Sequence, residues 1–375
     1  MKINMYGGAL TISYNLAKLL RREGQDVRLF VDRKPLYEAY SPEWEDEELK
    51  NGYPDWITVT DAKLNMIFSC GKESKQFAVQ LSDCDILHLH AEAYLWALVL
   101  KKDFIYHSHG YDLDRMPYAK NSIKAMVLAY LCRRAIKKSK KIIIAPHQKV
   151  YLERLKIADR GMYLPFPINT DKYARKGTDD LRRGILSKYN AEFIFFHPSR
   201  HEWMGNCLPN KGNDKAINAF ASYLKNAPAK AVLILINKGQ DIEDSRKMID
   251  RLGIAKNIMW LDSMPKDRLI EYYNASDIIL DQFAVGSFGQ IFVEAMACGK
   301  PTFIYLEGYE NEYAEPPPAI NVKEIDDITK GLIDLTGHPD RLKNTGDRSR
   351  DWAIKYHGKD AISRYMKLYK SFLEK

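Results

Sequence analysis

The sequence alternates short apolar segments with stretches of helical periodicity along most of its length. Ten segments have the length and composition of buried strands: Lys2–Tyr6, Asp26–Val31, Asp85–His90, Phe104–Ser108, Lys141–Ala145, Phe193–Phe196, Ala231–Ile236, Ile258–Leu261, Asp277–Leu280 and Pro301–Tyr305. Strands of this kind separated by helices are typical of parallel sheets built from βαβ units. The pattern predicts an α/β fold, and a length of 375 residues is enough for two domains.

The segment Leu164–Asp171 separates the strands into two sets. Its sequence, L-P-F-P-I-N-T-D, has two prolines and little periodicity, which is typical of a linker. We therefore predict two Rossmann-like domains, residues 1–168 and 169–355, facing each other across a cleft at the carboxyl ends of their sheets. The irregular stretch Pro35–Asp61 is predicted to be a loop.

Charge and composition restrict the class of protein. A net charge of +8 indicates an anionic partner such as a nucleotide or a lipid headgroup. The sequence has no zinc-finger or recognition-helix pattern, so we predict no nucleic-acid partner. No apolar run approaches the ~20 residues of a transmembrane helix, and the start lacks the apolar core of a signal peptide. The five cysteines lack C-x-x-C spacing, which fits a reducing compartment and predicts a cytoplasmic protein.

A dense basic run ends a helix-like segment of the first domain. The segment Ser122–Ile136 carries apolar residues at helical spacing, and Arg133–Lys141 adds the cations. Cations at the end of a helix commonly complement its dipole, and this is the interpretation we prefer. The alternative is a basic amphipathic helix that lies on an anionic membrane, at the inner face of the cell membrane.

The stretch Gly286–Pro301 follows a predicted strand and joins a glycine-rich turn to a helix. It reads G-S-F-G-Q-I-F-V-E-A-M-A-C-G-K-P. This order directs the free N–H groups of a helix start toward the loop, which suits a phosphate group. Glu294 lies in the second turn of the predicted helix, where a carboxylate can accept hydrogen bonds from ribose hydroxyls. The stretch therefore predicts a nucleotide site.

The same stretch resembles the signature of the retaining GT-B glycosyltransferases of family four. That signature is an acid, a small residue, F-G, four further residues and E-A-M-A-x-G-x-P, and the chain matches it from Ser287 to Pro301. The chain departs at one position, because Gly286 replaces the first acid of the family's pair. The resemblance covers both halves, and it implies a GT-B fold in which a helix within residues 356–375 packs back on the first domain.

Two cations follow the first strand of the second domain. Arg200 and Lys211 lie in S-R-H-E-W-M-G-N-C-L-P-N-K-G. An Arg fork and a Lys charge can stabilise the negative charge that grows on a departing diphosphate. Either cation alone would be interpreted as a solvated surface residue. The resemblance supports the pair, since the family has an Arg closing this strand and a Lys-Gly opening the next helix, although the joining loop is longer here.

Four histidines lie near the ends of two predicted strands: His88, His90, His107 and His109. A metal site from four imidazoles is conceivable, but no carboxylate or thiolate has suitable spacing. We therefore predict no metal, and we assign the first three to buried, hydrogen-bonded structural positions. The resembled family has an H-G-x-D segment at His109, with its histidine beside the transferred sugar, where a neutral imidazole can orient a hydroxyl.

The resemblance implies a retaining glycosyltransferase that moves a sugar from a nucleotide-diphosphate-sugar to a hydroxyl of a carbohydrate or lipid-linked acceptor, in polysaccharide or glycolipid biosynthesis. It implies no cofactor and no bound metal. The predicted catalytic residues are His109, Arg200 and Lys211, and the predicted donor-binding residues are Gly7, Gly8, Asp262, Met264, Ser287, Phe288, Gly289, Gln290, Ile291 and Glu294. Two alternatives stay open: a nucleotide-sugar epimerase of the same fold, and a nucleotide-sugar-binding protein without transfer activity, which Gly286 would explain.

Overall fold

The computed structural model describes residues 1–8, 11–35, 41–62, 71–204, 210–309 and 311–374. The chain divides into two compact units, of which the first comprises Met1–Pro167 with Lys359–Lys375 and the second comprises Ile168–Gly358. Both units are built from parallel strands and helices, which confirms the predicted α/β class. Among the described residues, no helix combines the length and the apolar character needed to cross a membrane.

The first unit contains a seven-stranded parallel sheet in the order β3-β2-β1-β4-β5-β6-β7. Its strands are β1 (Lys2–Gly7), β2 (Asp26–Asp32), β3 (Ile57–Thr60), β4 (Ile86–His90), β5 (Ile105–His107), β6 (Lys141–Ile143) and β7 (Gly161–Met162). Its α-helices are Ile12–Arg22, Pro42–Glu45, Lys72–Ser82, Tyr111–Asp114, Ile123–Ile136, Lys149–Leu155 and Lys359–Leu373. Strand β4 is buried at every residue, as expected for a parallel strand that is covered on both faces.

The second unit contains a six-stranded parallel sheet in the order β10-β9-β8-β11-β12-β13. Its strands are β8 (Phe193–His197), β9 (Ala231–Ile236), β10 (Ile258–Leu261), β11 (Ile278–Leu280), β12 (Thr302–Ile304) and β13 (Ile320–Asn321). Its α-helices are Asp179–Tyr189, Asn213–Asn226, Ile242–Leu252, Lys266–Ala275, Gln290–Ala297, Ile325–Gly337 and Pro339–His357. This is the Rossmann strand order, in which the direction of winding reverses between the first and fourth strands, here β8 and β11.

The prediction that Pro35–Asp61 is a loop was wrong for most of the part that the structure describes. The segment contains the helix Pro42–Glu45 and the strand β3, which pairs in parallel with β2. The sequence Ile57-Thr58-Val59-Thr60 is β-branched throughout and therefore suits a strand. Its signal is weak because β3 is a short edge strand, half-buried at three of its four residues. Residues 36–40 of the segment lie outside the described part.

The C-terminal helix Lys359–Leu373 belongs to the first unit, as the resemblance implied. Tyr365 and Tyr369 are fully buried in the same apolar cluster as Ile3 of β1. The helix lies within residues 356–375 and begins two residues after the preceding helix of the second unit ends at His357. Of the five cysteines, Cys70 and Cys207 lie outside the described residues, and Cys84, Cys132 and Cys298 are free thiols.

Candidate functional site

The carboxyl ends of β8 and β11 form the topological switch point of the second unit. The two strands pair in parallel, with Ile278 opposite Phe195. The chain therefore leaves both strands at the same edge of the sheet, where Arg200 follows β8 and Gln282 follows β11. Ligands of open α/β sheets bind at this kind of edge, because the strands on either side of the switch point connect away from each other and leave a crevice.

A buried hydrogen-bond network holds the segment that carries Arg200. The His197 Nδ1 atom lies 2.7 Å from the Leu280 carbonyl oxygen, and its Nε2 atom lies 2.8 Å from the Asn213 amide nitrogen. The Asn213 Oδ1 atom accepts a hydrogen bond of 3.0 Å from the Glu202 backbone N–H. Burial lowers the pKa of His197 to about 4, so its ring is neutral and can both donate and accept. Our sequence reasoning missed His197 and Asn213 because their partners are distant in sequence.

Lys211 is connected to the glycine-rich turn through Gln282. The Lys211 Nζ atom donates a hydrogen bond of 2.6 Å to Gln282 Oε1, and Gln282 Nε2 donates to the Ser287 carbonyl. Gly212 has a positive φ of 69°, and a Cβ atom there would lie 3.0 Å from Phe283 Cβ. The backbone therefore favours glycine after Lys211, since a side chain at position 212 would crowd Phe283. Gln282 was also missed, although its place two residues after the end of a strand was a usable signal.

Opposite charges surround both predicted cations. The Arg200 Nε atom lies 2.8 Å from Glu202 Oε1. Asp281 is buried and accepts a hydrogen bond of 3.2 Å from the Ser199 hydroxyl. Burial raises the pKa of Asp281 to about 6 and lowers the pKa of Lys211 to about 8, and the attraction between the two groups opposes both shifts. At neutral pH the edge therefore holds two cations, each beside a carboxylate.

The glycine-rich turn places an open helix start next to Gln282. Gly286 has a positive φ of 74°, and a Cβ atom there would lie 3.2 Å from both Tyr305 Cε1 and Glu307 Cβ. The local backbone and the neighbouring side chains therefore disfavour the family acid at this position. A Cβ atom on Gly289, which precedes the helix Gln290–Ala297, would meet no atom within 4 Å. This open space allows a ligand to approach the first N–H groups of the helix.

The side chains of four predicted donor-binding residues of this turn are buried or half-buried. The centroid of the Phe288 ring lies 4.6 Å from the centroid of the Tyr309 ring and 4.9 Å from that of the Phe292 ring. The Ser287 hydroxyl lies 3.3 Å from the Tyr309 hydroxyl, and Ile291 is half-buried. Gln290 is buried as well. Contacts of Ser287 and Phe288 with a ligand would therefore involve backbone atoms.

Glu294 is fully buried and forms an ion pair with Lys266. The Lys266 Nζ atom lies 2.7 and 2.6 Å from the two carboxylate oxygens, and the Tyr273 hydroxyl donates to Oε2 at 3.2 Å. The predicted contact of Glu294 with ribose hydroxyls stays a prediction. In the structure this carboxylate neutralises the buried ammonium group of Lys266. Lys266 was missed because it precedes Glu294 by a helix and a strand.

The remaining predicted donor-binding residues of the second unit follow the edge strand β10. Asp262 is exposed, and its Oδ1 atom accepts a hydrogen bond of 3.3 Å from the Asn237 amide. Met264 is half-buried, two residues before the helix that begins at Lys266. Both lie at the same edge of the sheet as Arg200, because β10, β9 and β8 run in parallel.

The first unit has its own switch point between β1 and β4. Gly7 ends β1 opposite His90, and Gly8 follows with a positive φ of 127°. The His109 ring is half-buried, and its Nε2 atom shares a hydrogen bond of 3.1 Å with His90 Nδ1. The backbone N–H of His109 donates to Asp112 Oδ1 at 3.0 Å. The predicted residues Gly7, Gly8 and His109 therefore share one edge of this sheet.

Comparison with known families gives two matches, one for each unit. Residues 6–171 match the family described as "Glycosyltransferase Family 4", and residues 191–352 match the family described as "Glycosyl transferases group 1". Together the two matches extend over most of the chain.

Relatives from the curated proteins match parts of the chain. It is 25% identical over 207 residues to the GDP-mannose-dependent alpha-(1-6)-phosphatidylinositol monomannoside mannosyltransferase of Mycolicibacterium smegmatis, covering 51% of each chain. It is 28% identical over 156 residues to the D-inositol 3-phosphate glycosyltransferase of Nocardia farcinica, covering 39% of this chain and 35% of the relative. The alignments thus span about half, or less, of the length of these relatives.

Solved structures share the whole fold. HepE of Anabaena, crystallised in complex with UDP, superposes with a TM-score of 0.73 at 16% identity, covering 99% of this chain and 100% of HepE. Sucrose-phosphate synthase of Thermosynechococcus elongatus superposes with a TM-score of 0.70 at 14% identity, covering 100% of this chain and 99% of the synthase. These similarities and the two parallel sheets identify the fold as GT-B.

Proposed function

The chain belongs to family 4 of the group 1 glycosyltransferases, and on that premise we propose that it transfers a sugar from a nucleotide-diphosphate-sugar to a hydroxyl group of its acceptor. The donor diphosphate would bind at the carboxyl edge of the second sheet. The observation that carries this proposal is the link from Lys211 through Gln282 to the glycine-rich turn, beside Arg200. Two cations and an open helix start at one sheet edge suit a diphosphate.

The proposed transfer proceeds with retention of the anomeric configuration. The bond between the anomeric carbon and the diphosphate oxygen breaks, and a bond to the acceptor oxygen forms on the same face of the sugar. The acceptor proton passes to the departing phosphate oxygen. Arg200 and Lys211 would stabilise the charge that grows on the diphosphate, which is the task of a divalent metal in other transferases. For His109 we propose a hydrogen bond that orients a sugar hydroxyl, with the ring held by His90.

Glu307 can replace the family acid that Gly286 lacks. Its backbone N–H donates a hydrogen bond of 2.9 Å to the Gly286 carbonyl, so its side chain begins beside the turn. The carboxylate is exposed to solvent and is held by the Tyr305 hydroxyl, which donates to Oε2 at 2.6 Å. An exposed carboxylate next to the glycine-rich turn can accept hydrogen bonds from the hydroxyls of a donor sugar. A carboxylate supplied by Glu307 in place of the family acid favours transfer activity over the alternative of a binding protein without such activity.

An exposed apolar stripe supports an acceptor that is presented at a membrane. Ile123, Met126, Val127 and Tyr130 follow the spacing of one helix face, and their exposed fractions are 83%, 54%, 55% and 56%. The buried face of the helix Ile123–Ile136 is formed instead by Ala129, Cys132, Ala135 and Ile136.

Exposed cations continue and flank this stripe: Lys120, Lys124, Arg134 and Lys137. An apolar strip bordered by cations suits an anionic lipid surface, since each cation near such a surface contributes ~1 kcal/mol. The names of the relatives point to acceptors with an inositol or lipid-linked inositol headgroup. We therefore propose a lipid-linked or polyol acceptor and a peripheral position at the inner face of the cell membrane.

The first test is calorimetric titration with UDP, GDP and ADP and with the corresponding nucleotide sugars. We expect saturable binding of one nucleotide without added divalent metal, and at least a tenfold weaker affinity in Lys211→Ala, because a charge-assisted contact to phosphate is lost. Lys215→Ala is the matched control, since Lys215 lies four residues after Lys211, in the first turn of the helix Asn213–Asn226, and pairs with Glu324. If none of the three nucleotides binds, the proposed donor site is wrong.

Transfer itself is tested with the bound donor and a panel of inositol and lipid-linked acceptors. The configuration of the product at the anomeric carbon, read from its proton coupling, decides retention. Rates that do not rise on addition of Mg²⁺ or Mn²⁺ would agree with catalysis by side chains alone. Appearance of an epimer from the donor without any acceptor would favour the epimerase, and donor binding without transfer to any acceptor would favour the binding protein.

A further inference from the structure

Three buried histidines of the first unit point from two neighbouring strands to the same face of the sheet. His88 and His90 lie two residues apart on β4, and His90 lies directly opposite His107 of β5 in the parallel register. Side chains two residues apart on a strand share a face, and residues paired across parallel strands do so as well. The helix Lys359–Leu373 covers this face, with the ring of Tyr365 6.3 Å from that of His88 and 6.2 Å from that of His107.

Each of these histidines has a buried ring nitrogen without a hydrogen-bond partner among the described residues. The atoms are His88 Nε2, His90 Nε2 and His107 Nδ1, and the hydroxyl of Tyr365 is buried without a partner in the same sense. Each of the three imidazoles offers one ligand atom within 4.8 Å of the others. Our sequence analysis predicted hydrogen-bonded structural histidines here. Buried polar atoms without partners are rare, because each loses its hydration without compensation. A bound ion or an ordered water between these rings would supply the missing partners.

The opposite nitrogens of two of these rings are already held. His88 Nδ1 lies 2.8 Å from the Tyr369 hydroxyl, and His90 Nδ1 lies 3.1 Å from His109 Nε2. If both Nδ1 atoms carry the proton, the lone pairs of both Nε2 atoms are free. Metal-binding histidines have this arrangement, in which the second nitrogen donates to a polar group and thereby fixes the tautomer and the orientation of the ring.

We propose that His88, His90 and His107 bind one divalent zinc ion, with the fourth position filled by water or by the Tyr365 hydroxyl. Three imidazoles are a common protein ligand set for zinc. The site is structural: it joins β4 to β5 beneath the C-terminal helix, and through His90 it supports His109. It belongs to the first unit and does not rest on the proposed transfer reaction.

Binding requires a small rearrangement of the rings. The planes of His88 and His90 lie 26° apart with centroids separated by 4.3 Å, and those of His88 and His107 lie 12° apart. Ligand nitrogens of a tetrahedral zinc site are about 3.3 Å from each other, since each bond is about 2.0–2.1 Å long. The rings must therefore tilt so that their nitrogens converge from the present separation of up to 4.8 Å.

The test uses the full chain, purified without a polyhistidine tag. Zinc content is measured by mass spectrometry after dialysis, and cobalt is substituted to give the visible absorption of a tetrahedral site. We expect one metal ion per chain, an increase in melting temperature on zinc addition to metal-depleted protein, and anomalous scattering at the three histidines in a crystal. Zinc affinity should fall at least 100-fold in His88→Ala and in His107→Ala. His147→Ala, which removes a partly exposed histidine of the same unit, should leave it unchanged.

The proposal is overturned if the wild-type protein contains no zinc and shows neither a cobalt spectrum nor a shift in melting temperature. Ordered water would then occupy the space between the rings. It is also overturned if the metal remains in folded His88→Ala and His107→Ala variants, because the ion would then be bound elsewhere. Should either variant fail to fold, the anomalous signal of the wild-type protein decides the location without any substitution.

Discussion

The Oε2 atom of Glu307 lies 3.4 Å from the point where a Cβ atom on Gly286 would stand. The carboxylate therefore lies in van der Waals contact with the point at which the side chain of the missing family acid would start. The positive φ of Gly286 disfavours any other residue at that position, and the Gly286 carbonyl accepts the Glu307 N–H. The same local backbone thus disfavours an acid at position 286 and places the carboxylate of Glu307 beside it.

Glu307→Gln should lower kcat for transfer by about 10- to 100-fold, the cost of a charge-assisted hydrogen bond to a sugar hydroxyl. The affinity for the nucleotide without its sugar should not change. Tyr305→Phe removes the hydroxyl that holds Glu307 and should have a smaller effect in the same direction. Steady-state kinetics and calorimetry measure the two quantities, with the exposed Glu324→Gln as the control. An unchanged kcat in Glu307→Gln would rule out this role.

Lys211→Ala should reduce kcat/KM for the donor by about 10²- to 10³-fold, as expected when a donor to a developing anion is removed. Gln282→Ala should have a weaker effect, because it releases Lys211 and the glycine-rich turn but leaves the charge. Lys215→Ala is again the matched control. A loss in Lys211→Ala no larger than that of the control would contradict the assignment of the diphosphate to this edge.

The activity should fall as the pH rises through about 8. Burial lowers the pKa of Lys211 to about 8, with Arg200 acting in the same direction and Asp281 and Glu202 opposing it. The free enzyme therefore loses the Lys211 charge above that pH, and kcat/KM falls. A bound diphosphate raises the pKa of Lys211, so the corresponding limb of kcat lies at higher pH. Lys211→Arg keeps its charge and should lack the limb, and a limb that persists near pH 8 in this variant would assign it to another group.

The same shift has a consequence for stability. Between pH 8 and the ordinary pKa of 10.5, the Lys211 amine is neutral in the folded chain and protonated in the unfolded chain. The unfolded state then binds more protons, so this group increases the free energy of unfolding as the pH rises through this window. Lys211→Met should abolish that contribution, which chemical denaturation at pH 7.5 and 10 measures by difference from the wild type.

Glu294→Ala should destabilise the second unit by ~3–5 kcal/mol, because it leaves the buried ammonium group of Lys266 without its partner. The double variant Lys266→Met with Glu294→Gln should recover part of this loss, since no buried charge remains. Thermal unfolding measures both. Nucleotide affinity, measured at a temperature where the variants are folded, tests the ribose contact separately. Equal stability of the single and double variants would show that the ion pair is not what Glu294 provides.

Replacing Met126 and Val127 with Ser should weaken binding to vesicles that contain an anionic phospholipid by about tenfold or more, since two apolar side chains no longer enter the lipid surface. Binding of the wild type should decrease with salt, because Lys124, Arg134 and Lys137 contribute electrostatically. Val79→Ser is the control, with an apolar side chain that is 69% exposed on another helix of the same unit. If the wild type binds vesicles with the same affinity whether or not they contain anionic phospholipid, this surface is excluded as a membrane contact.

Local patterns in the sequence were sufficient for the fold class, the positions of ten strands and the glycine-rich turn. Each of these depends on neighbouring residues: a strand on a short apolar run, a helix on its periodicity, and the turn on closely spaced glycines. The resemblance over Ser287–Pro301 added the family. The short edge strands β3, β7 and β13 were missed, because few neighbours bury them and their apolar runs are correspondingly brief.

Partners that are distant in the chain could not be inferred in this way. Three pairs of residues meet only because parallel strands bring their carboxyl ends to one edge of the sheet. These pairs are Glu307 with Gly286, Lys266 with Glu294, and Gln282 with Lys211. The buried face of the helix Ile123–Ile136 could not be inferred from the sequence either. Its periodicity shows an apolar face, but in the folded chain the small residues Ala129, Cys132 and Ala135 are the ones that pack into the core. Small side chains let the helix approach its neighbours closely, and the larger apolar residues were left exposed. Sequence periodicity defines such faces, whereas the contacts available in the folded chain determine which face is buried and which charges meet.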